Sequence, residues 1–131
     1  MSALKKIKTS KAPKAIGPYS QGIICGNFLF TAGQIALNPK NNEFIKGGIK
    51  VQTKQVIQNL KAIISEDGGK IENTVKTTVY LKNINDFQQM NKVYSKYFKN
   101  KPVRSTVEIN KLPKNALIEI EAIVYLEDEK N

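Results

Sequence analysis

Residues 116–126 read ALIEIEAIVYL, and the alternation in this stretch decides the fold. Successive side chains of a strand point to opposite sides. Ile118, Ile120, Ala122 and Val124 then make one continuous apolar face, suited to a layer of helices. The opposite face carries Leu117, Glu119, Glu121, Ile123 and Tyr125. It is too apolar for plain solvent and too charged for a core. A simple exposed face and a subunit interface with a polar site embedded in it fit this pattern about equally.

The chain upstream supplies the helices that the apolar face calls for. From about Gly48 the period becomes helical: Ile49, Val56, Ile57, Leu60, Ile63 and Ile64 fall on one side, and Gly68-Gly69 stops the helix. A second helix opens at Asn85-Asp86, with Gln89 placed to help cap it, and Phe87, Met90, Tyr94 and Phe98 form its apolar stripe. Asn91 interrupts that stripe. A polar amide there needs a partner, either nearby backbone or a ligand.

Before the first helix, SQGIIC and NFLFTA read as a hairpin around Gly26-Asn27, followed by the loop ALNPKNNE. Between the helices, TVKTTVYLK alternates with Val75, Thr77, Val79 and Leu81 on one side. After the second helix comes VRSTVEI, where Arg104, Thr106 and Glu108 share one face and Ser105, Val107 and Ile109 the other. The turn NKLPKN leads into the closing strand. The expected order is β-β-α-β-α-β-β, an α+β sheet with both helices on one face. No repeat or linker divides the chain, so residues 1–131 are expected to form one domain.

Composition narrows the chemistry. The chain has no histidine, which removes Ser-His-Asp and Cys-His catalysis and histidine-bearing zinc sites. Its single cysteine, Cys25, allows no intrachain disulfide and fits a reducing compartment. In the apolar run GIICG a buried, inert thiol is expected. No stretch approaches the roughly 18 apolar residues of a membrane span. MSALKKIKTSKAPK has no apolar signal core; it is read as a solvated tail leading into a strand, and a cytoplasmic location is expected. The net charge of +10 comes from lysines spread along the whole chain and accompanied by many asparagines, which points to compositional bias.

One basic residue stands apart. Of 21 lysines and arginines, only Arg104 is arginine. A guanidinium offers a rigid planar fork that grips a carboxylate or phosphate through two bonds, which lysine cannot do. Its partner could be structural (Glu108, Glu119 or Glu121) or a substrate carboxylate.

Six segments carry a resemblance: AIGPYSQG, TAGQIALNP, QTKQVIQNLKAI, VKTTVYLKNINDF, VRSTVE and LPKNALIEIEA. In this order they resemble the RidA/YjgF family of reactive-intermediate deaminases over nearly the whole chain. The resemblance implies a chorismate-mutase-like fold with a mostly antiparallel sheet, and a homotrimer with a ligand site in each cleft between subunits. It also implies hydrolysis of 2-imino acids and their enamine tautomers, products of serine and threonine dehydration, to 2-keto acids and ammonia. No cofactor and no metal are implied. Arg104 matches the arginine that binds the substrate carboxylate, and Glu119 the acid that orients or activates water. Tyr19, the backbone at Gly33, and Asn91 match positions lining the cleft, and Phe87 contributes apolar wall.

Two positions depart from the family pattern. Thr106 stands where many relatives have cysteine, so a reactive thiol is absent there; if that position acts through its backbone, the chemistry survives. Ala32 replaces a common serine before Gly33-Gln34. RNA cleavage or translation inhibition, ascribed to some relatives, is the alternative. The charge allows it, but diffuse lysines, the lack of an RNA-binding motif and the lack of histidine disfavour it. For an interaction protein of the holdase kind there is no specific signal.

Overall fold

The closing strand β6 (Ile118–Tyr125) lies inside a six-stranded sheet, paired with β3 (Phe28–Thr31) on one side and β4 (Thr74–Leu81) on the other. Beyond β3 come β2 (Gly22–Cys25) and β1 (Lys5–Ile7); beyond β4 lies the edge strand β5 (Val103–Glu108). The structure, a computed structural model, describes residues 3–127. Neighbouring strands are antiparallel except β4 and β5. Helix α2 (Phe87–Tyr97) carries the chain from the end of β4 back to the start of β5, which forces that pair to run parallel. The result is the expected α+β fold with a mostly antiparallel sheet.

Both helices cover one face. Ile118, Ile120, Ala122 and Val124 of β6 are buried there beside Leu29, Val79 and Leu81. Helix α1 (Ile49–Ser65) brings down Val56, Ile57, Leu60, Ile63 and Ile64, and α2 adds Met90, Tyr94 and, just past its end, Phe98. Each such side chain contributes about 1.5–3 kcal/mol by leaving water. The stop after α1 uses Gly68, whose φ of +87° suits a residue without Cβ. Two buried amides tie the helix layer to its surroundings. Asn59 of α1 donates to the carbonyls of Ile35 and Leu37, and Gln52 accepts from the Leu117 N–H. A smaller cluster of Ile35, Leu37, Leu112 and Ala116 closes one end, with Tyr80 and Ile109 packed against it.

Several local expectations need correction. Part of the N-terminal segment read as a tail pairs as β1. Val75 is exposed and Thr74 is buried in its stead, because the β4–β6 register shifts between Thr74 and Lys76. Helix α2 opens at Asp86 as expected, but no side chain among the described residues gives its N-terminus a capping hydrogen bond. A 3-10 turn over Ile84–Asp86 precedes it, and Asn83 Oδ1 accepts the Asn85 N–H at 2.9 Å. Cys25 is exposed, since it stands at the tip of the β2–β3 hairpin beyond the helix layer. Among the described residues no helix is long and apolar enough to cross a membrane.

Candidate active site

Arg104 is on the helix side of the sheet. It pairs in register with Thr77, whose buried side chain faces the helices. Phe87, Asn91 and Tyr94 are spaced four and three residues apart on α2, so they share a face and meet the guanidinium together. Its carbon stands 4.8 Å from the Tyr94 ring centroid and 5.3 Å from that of Phe87. Nη1 donates to Asn91 Oδ1 at 2.8 Å. Among the described residues Asn91 thus bonds the arginine and no backbone group, and it orients the guanidinium. Behind it, the Tyr94 hydroxyl and Thr77 Oγ1 lie 2.6 Å apart and share a hydrogen bond. Burial pushes the Tyr94 phenol above its usual range, opposed by its Thr77 bond and by the Arg104 charge.

None of the three glutamates considered as structural partners reaches Arg104. Glu108 Oε1 accepts the Ile84 N–H at 2.8 Å and so caps the turn before α2. Glu119 and Glu121 pair with Tyr80 and Thr78, whose side chains point to the other face. Arg104 thus keeps part of its fork free of carboxylate among the described residues, on a half-exposed strand edge. Thr106 follows on the same face, and its Oγ1 is buried without a hydrogen-bond partner. A lone buried hydroxyl costs energy unless something satisfies it.

The remaining expected residues gather elsewhere. Gln34 exchanges two backbone hydrogen bonds with Ile120, of 2.9 and 3.1 Å, and this bridge lays Gly33 alongside Glu119. A Cβ at Gly33 would come within 2.8 Å of Glu119 Cδ and 3.0 Å of Cγ, so the close approach requires glycine. A cleft of about 330 Å3 opens here, lined by Lys14, Tyr19, Gly33, Pro113 and Glu119. The Tyr19 hydroxyl accepts the Ile16 N–H at 3.3 Å, and both residues line the cleft. Burial, and next to it the Glu121 charge, hold the Glu119 carboxyl above the ordinary carboxylate range. That favours a proton acceptor of useful strength.

The expected residues therefore form two constellations. Arg104, Asn91, Phe87 and Thr106 stand on the helix side of β5 and α2; Glu119, Gly33 and Tyr19 stand on the open side of β6. Arg104 does not share the mixed face of β6 with Glu119, because β5 turns its arginine side toward α2. With β4 between them, the two strands are roughly 10 Å apart, and their side chains diverge. Tyr94 and Thr77 went unrecognised in the sequence. Tyr94 lay in the apolar stripe of α2, and its spacing of three from Asn91 was the available signal. Among the described residues no group of three His, Cys, Asp or Glu side chains could hold a metal ion.

The fold, two helices over a mostly antiparallel six-stranded sheet, is that of a known class of small α+β proteins. The family model described as Endoribonuclease L-PSP matches residues 9–126. A RutC family protein of Pyrococcus abyssi is 57% identical over 126 residues, covering 95% of this chain and 99% of the relative. A 2-iminobutanoate/2-iminopropanoate deaminase of Dermatophagoides farinae is 41% identical over 128 residues, covering 97% and 100%. The crystal structure of Escherichia coli TdcF with bound serine superposes with a TM-score of 0.88 at 38% identity, covering 94% and 99%. The chain belongs to the Endoribonuclease L-PSP family, the RidA/YjgF family that its six segments resemble.

Proposed function

We propose that the protein hydrolyses small 2-imino acids and their enamine tautomers to 2-keto acids and ammonia, at sites each shared by two copies of the chain in a homotrimer. The observation that carries this reading is the state of Arg104. The one arginine is braced by three α2 side chains yet has no carboxylate partner among the described residues. Such a fork suits a small substrate carboxylate. The deaminase name of one relative and the serine bound to TdcF agree with a small amino-acid-like ligand.

The reaction asks little of a protein without histidine. Water attacks the carbon of the imine, its nitrogen protonated, while Glu119 takes a proton from the water, forming a neutral carbinolamine. Glu119 returns that proton to the nitrogen; the C–N bond then breaks, ammonia leaves with the bonding pair, and the hydroxyl proton passes to Glu119 and on to solvent, leaving the ketone. A positioned base contributes roughly 10²–10⁴-fold in such a step, and fixed geometry adds to it. The Thr106 hydroxyl, unpartnered beside Arg104, has room in its bonding for the same ligand.

Sharing between copies is supported by the divergence of Arg104 and Glu119 within one chain. The open sheet face also exposes Phe30 at 45% and Val103 at 66%, apolar surface that a second copy would cover. The test couples the protein to a threonine or serine dehydratase and follows keto-acid formation with semicarbazide competing for the imine. Faster keto-acid release is expected; no acceleration over spontaneous hydrolysis overturns the reading. Light scattering should give three times 14.7 kDa, and a monomer overturns the shared site. RNA association, if it occurs, should fall steeply with salt and ignore Arg104→Lys.

A further inference from the structure

One wall of the Glu119 cleft is a length of chain that forms neither helix nor strand, residues 13–19, which supplies Pro13, Lys14, Ile16 and Tyr19. Tyr19 is 49% exposed and Ile16 59%, so packing alone does not hold them in place. Hydrogen bonds do. At the near end the buried Gln21 side chain accepts the Thr9 N–H at 2.7 Å and donates to the carbonyls of Thr9 at 3.0 Å and Pro13 at 2.8 Å. One residue on, the Asn42 side chain takes both main-chain groups of Lys14. Its Oδ1 accepts the Lys14 N–H at 3.2 Å, and its Nδ2 donates to the Lys14 carbonyl at 3.1 Å. Beyond Lys14 the segment closes on itself, the Tyr19 N–H donating to the Gly17 carbonyl at 2.8 Å beside the bond between Ile16 and Tyr19. Asn42 is itself fixed: its N–H donates to the Asn38 carbonyl at 2.7 Å, and the Asn38 N–H to the Glu43 carbonyl at 2.8 Å. Its φ of +58° is left-handed, a conformation that asparagine tolerates and glycine adopts freely. Glycine would serve the turn, so the amide is surplus to it and acts on Lys14.

We propose that Asn42 is a positioning residue for Tyr19: by pinning the Lys14 main chain it keeps the segment that carries Tyr19 ordered as the wall of the Glu119 cleft before substrate arrives. This deepens the deaminase reading and rests on it. A segment free to move must be ordered when the ligand binds, and that conformational entropy is subtracted from affinity. With Gln21 holding one end and Asn42 the next residue but one after Ala12, the stretch left to order is short. Once substrate is bound the wall is in place with or without the pin, so the effect falls on binding and not on the bond-breaking steps.

The test uses Asn42→Gly, which keeps the left-handed turn and removes both bonds to Lys14. KM for imine hydrolysis should rise roughly threefold to tenfold while kcat stays within about twofold. Amide hydrogen exchange, followed by NMR, reports the segment independently of activity. The Ile16 N–H is the informative probe, because its own partner, the Tyr19 hydroxyl, is untouched by the substitution. It should exchange about tenfold faster or more, with the amides of β6 unchanged. A double-mutant cycle separates positioning of Tyr19 from a general structural role. In a Tyr19→Ala background, Asn42→Gly should change KM by less than about twofold, since the side chain it positions is gone. An unmoved KM, a loss carried by kcat, unchanged exchange at Ile16, or a KM rise that persists in full with Tyr19→Ala overturns the proposal. If the unsubstituted protein hydrolyses no imine while Ile16 exchange still quickens in Asn42→Gly, the deaminase reading falls and the pin on the Tyr19 segment stands.

Discussion

Arg104 and Glu119 stand on opposite faces of one sheet, on strands separated by β4. A small 2-imino acid cannot touch both within one chain. Shared sites make a definite prediction for mixed assemblies. Arg104→Lys and Glu119→Gln should each lose about 10²-fold or more in kcat/KM, through loss of the bidentate grip and of the base respectively. Unfolded together and refolded as mixed trimers, they should regain about one quarter of the original activity, because random assortment pairs an intact Arg104 with an intact Glu119 that often. No recovery would show that each chain works with its own two residues.

Asn91 tests how the fork is aimed. Asn91→Ala removes a hydrogen bond to a charged group, worth about 1.5–3 kcal/mol, and should raise KM roughly tenfold or more. Asn91→Asp keeps the geometry but supplies a carboxylate that competes for Arg104, so its KM should rise further. Steady-state kinetics at saturating and limiting imine separate the two. A lower KM in the aspartate variant would contradict the role given to the free fork.

Glu119 carries a stability cost that is tied to pH. Its carboxyl titrates higher in the folded chain than in the unfolded one, through burial and the Glu121 charge. Its contribution to stability is therefore fully present below the unfolded value, near 4.3, and is lost as pH rises through the raised folded value. Glu119→Gln should unfold at a higher temperature than the unsubstituted protein at pH 7, and at nearly the same temperature at pH 4. Thermal melts across that range check it. A destabilised variant at neutral pH would show that the carboxylate is better satisfied than the structure has it.

Gly33→Ala places a methyl group against the Glu119 carboxyl, 2.8 Å from its Cδ. The carboxyl is the far end of a flexible side chain and can swing away. Activity should then fall by about tenfold or more with kcat carrying the loss, and the melting temperature should change by only a few degrees, since surface-accessible changes of this kind typically cost under about 1 kcal/mol. Parallel assay and calorimetry decide it; full activity would mean that Glu119 need not lie over Gly33.

Much of this molecule is legible in its residue pattern because burial follows periodicity. Ile118 to Val124 mark the helix face of β6 by alternation, and Val56 to Ile64 mark the buried side of α1 by helical spacing, and both are buried as expected. The pattern falters where pairing geometry overrides it. Val75 is displaced by a register shift and Cys25 by its place at a hairpin tip, and the side-chain cap at the approach to α2 comes from Asn83, on the turn ahead of Asp86. The candidate residues were legible as types, a lone guanidinium and an interrupting amide, but their partners were not. Asn91 and Arg104 are separated by the rest of α2 and a loop, and only packing brings them to 2.8 Å.

By itself the chain determined that two helices cover one side of a sheet, that histidine chemistry is absent, and that one position alone carries a guanidinium. Alternation and composition are local properties, and they suffice for that. Which way β5 faces depends on the neighbour it pairs with and on the helix above it, and no local pattern records either. Tertiary structure alone turned Arg104 toward Asn91 and Tyr94 and laid Gly33 under Glu119.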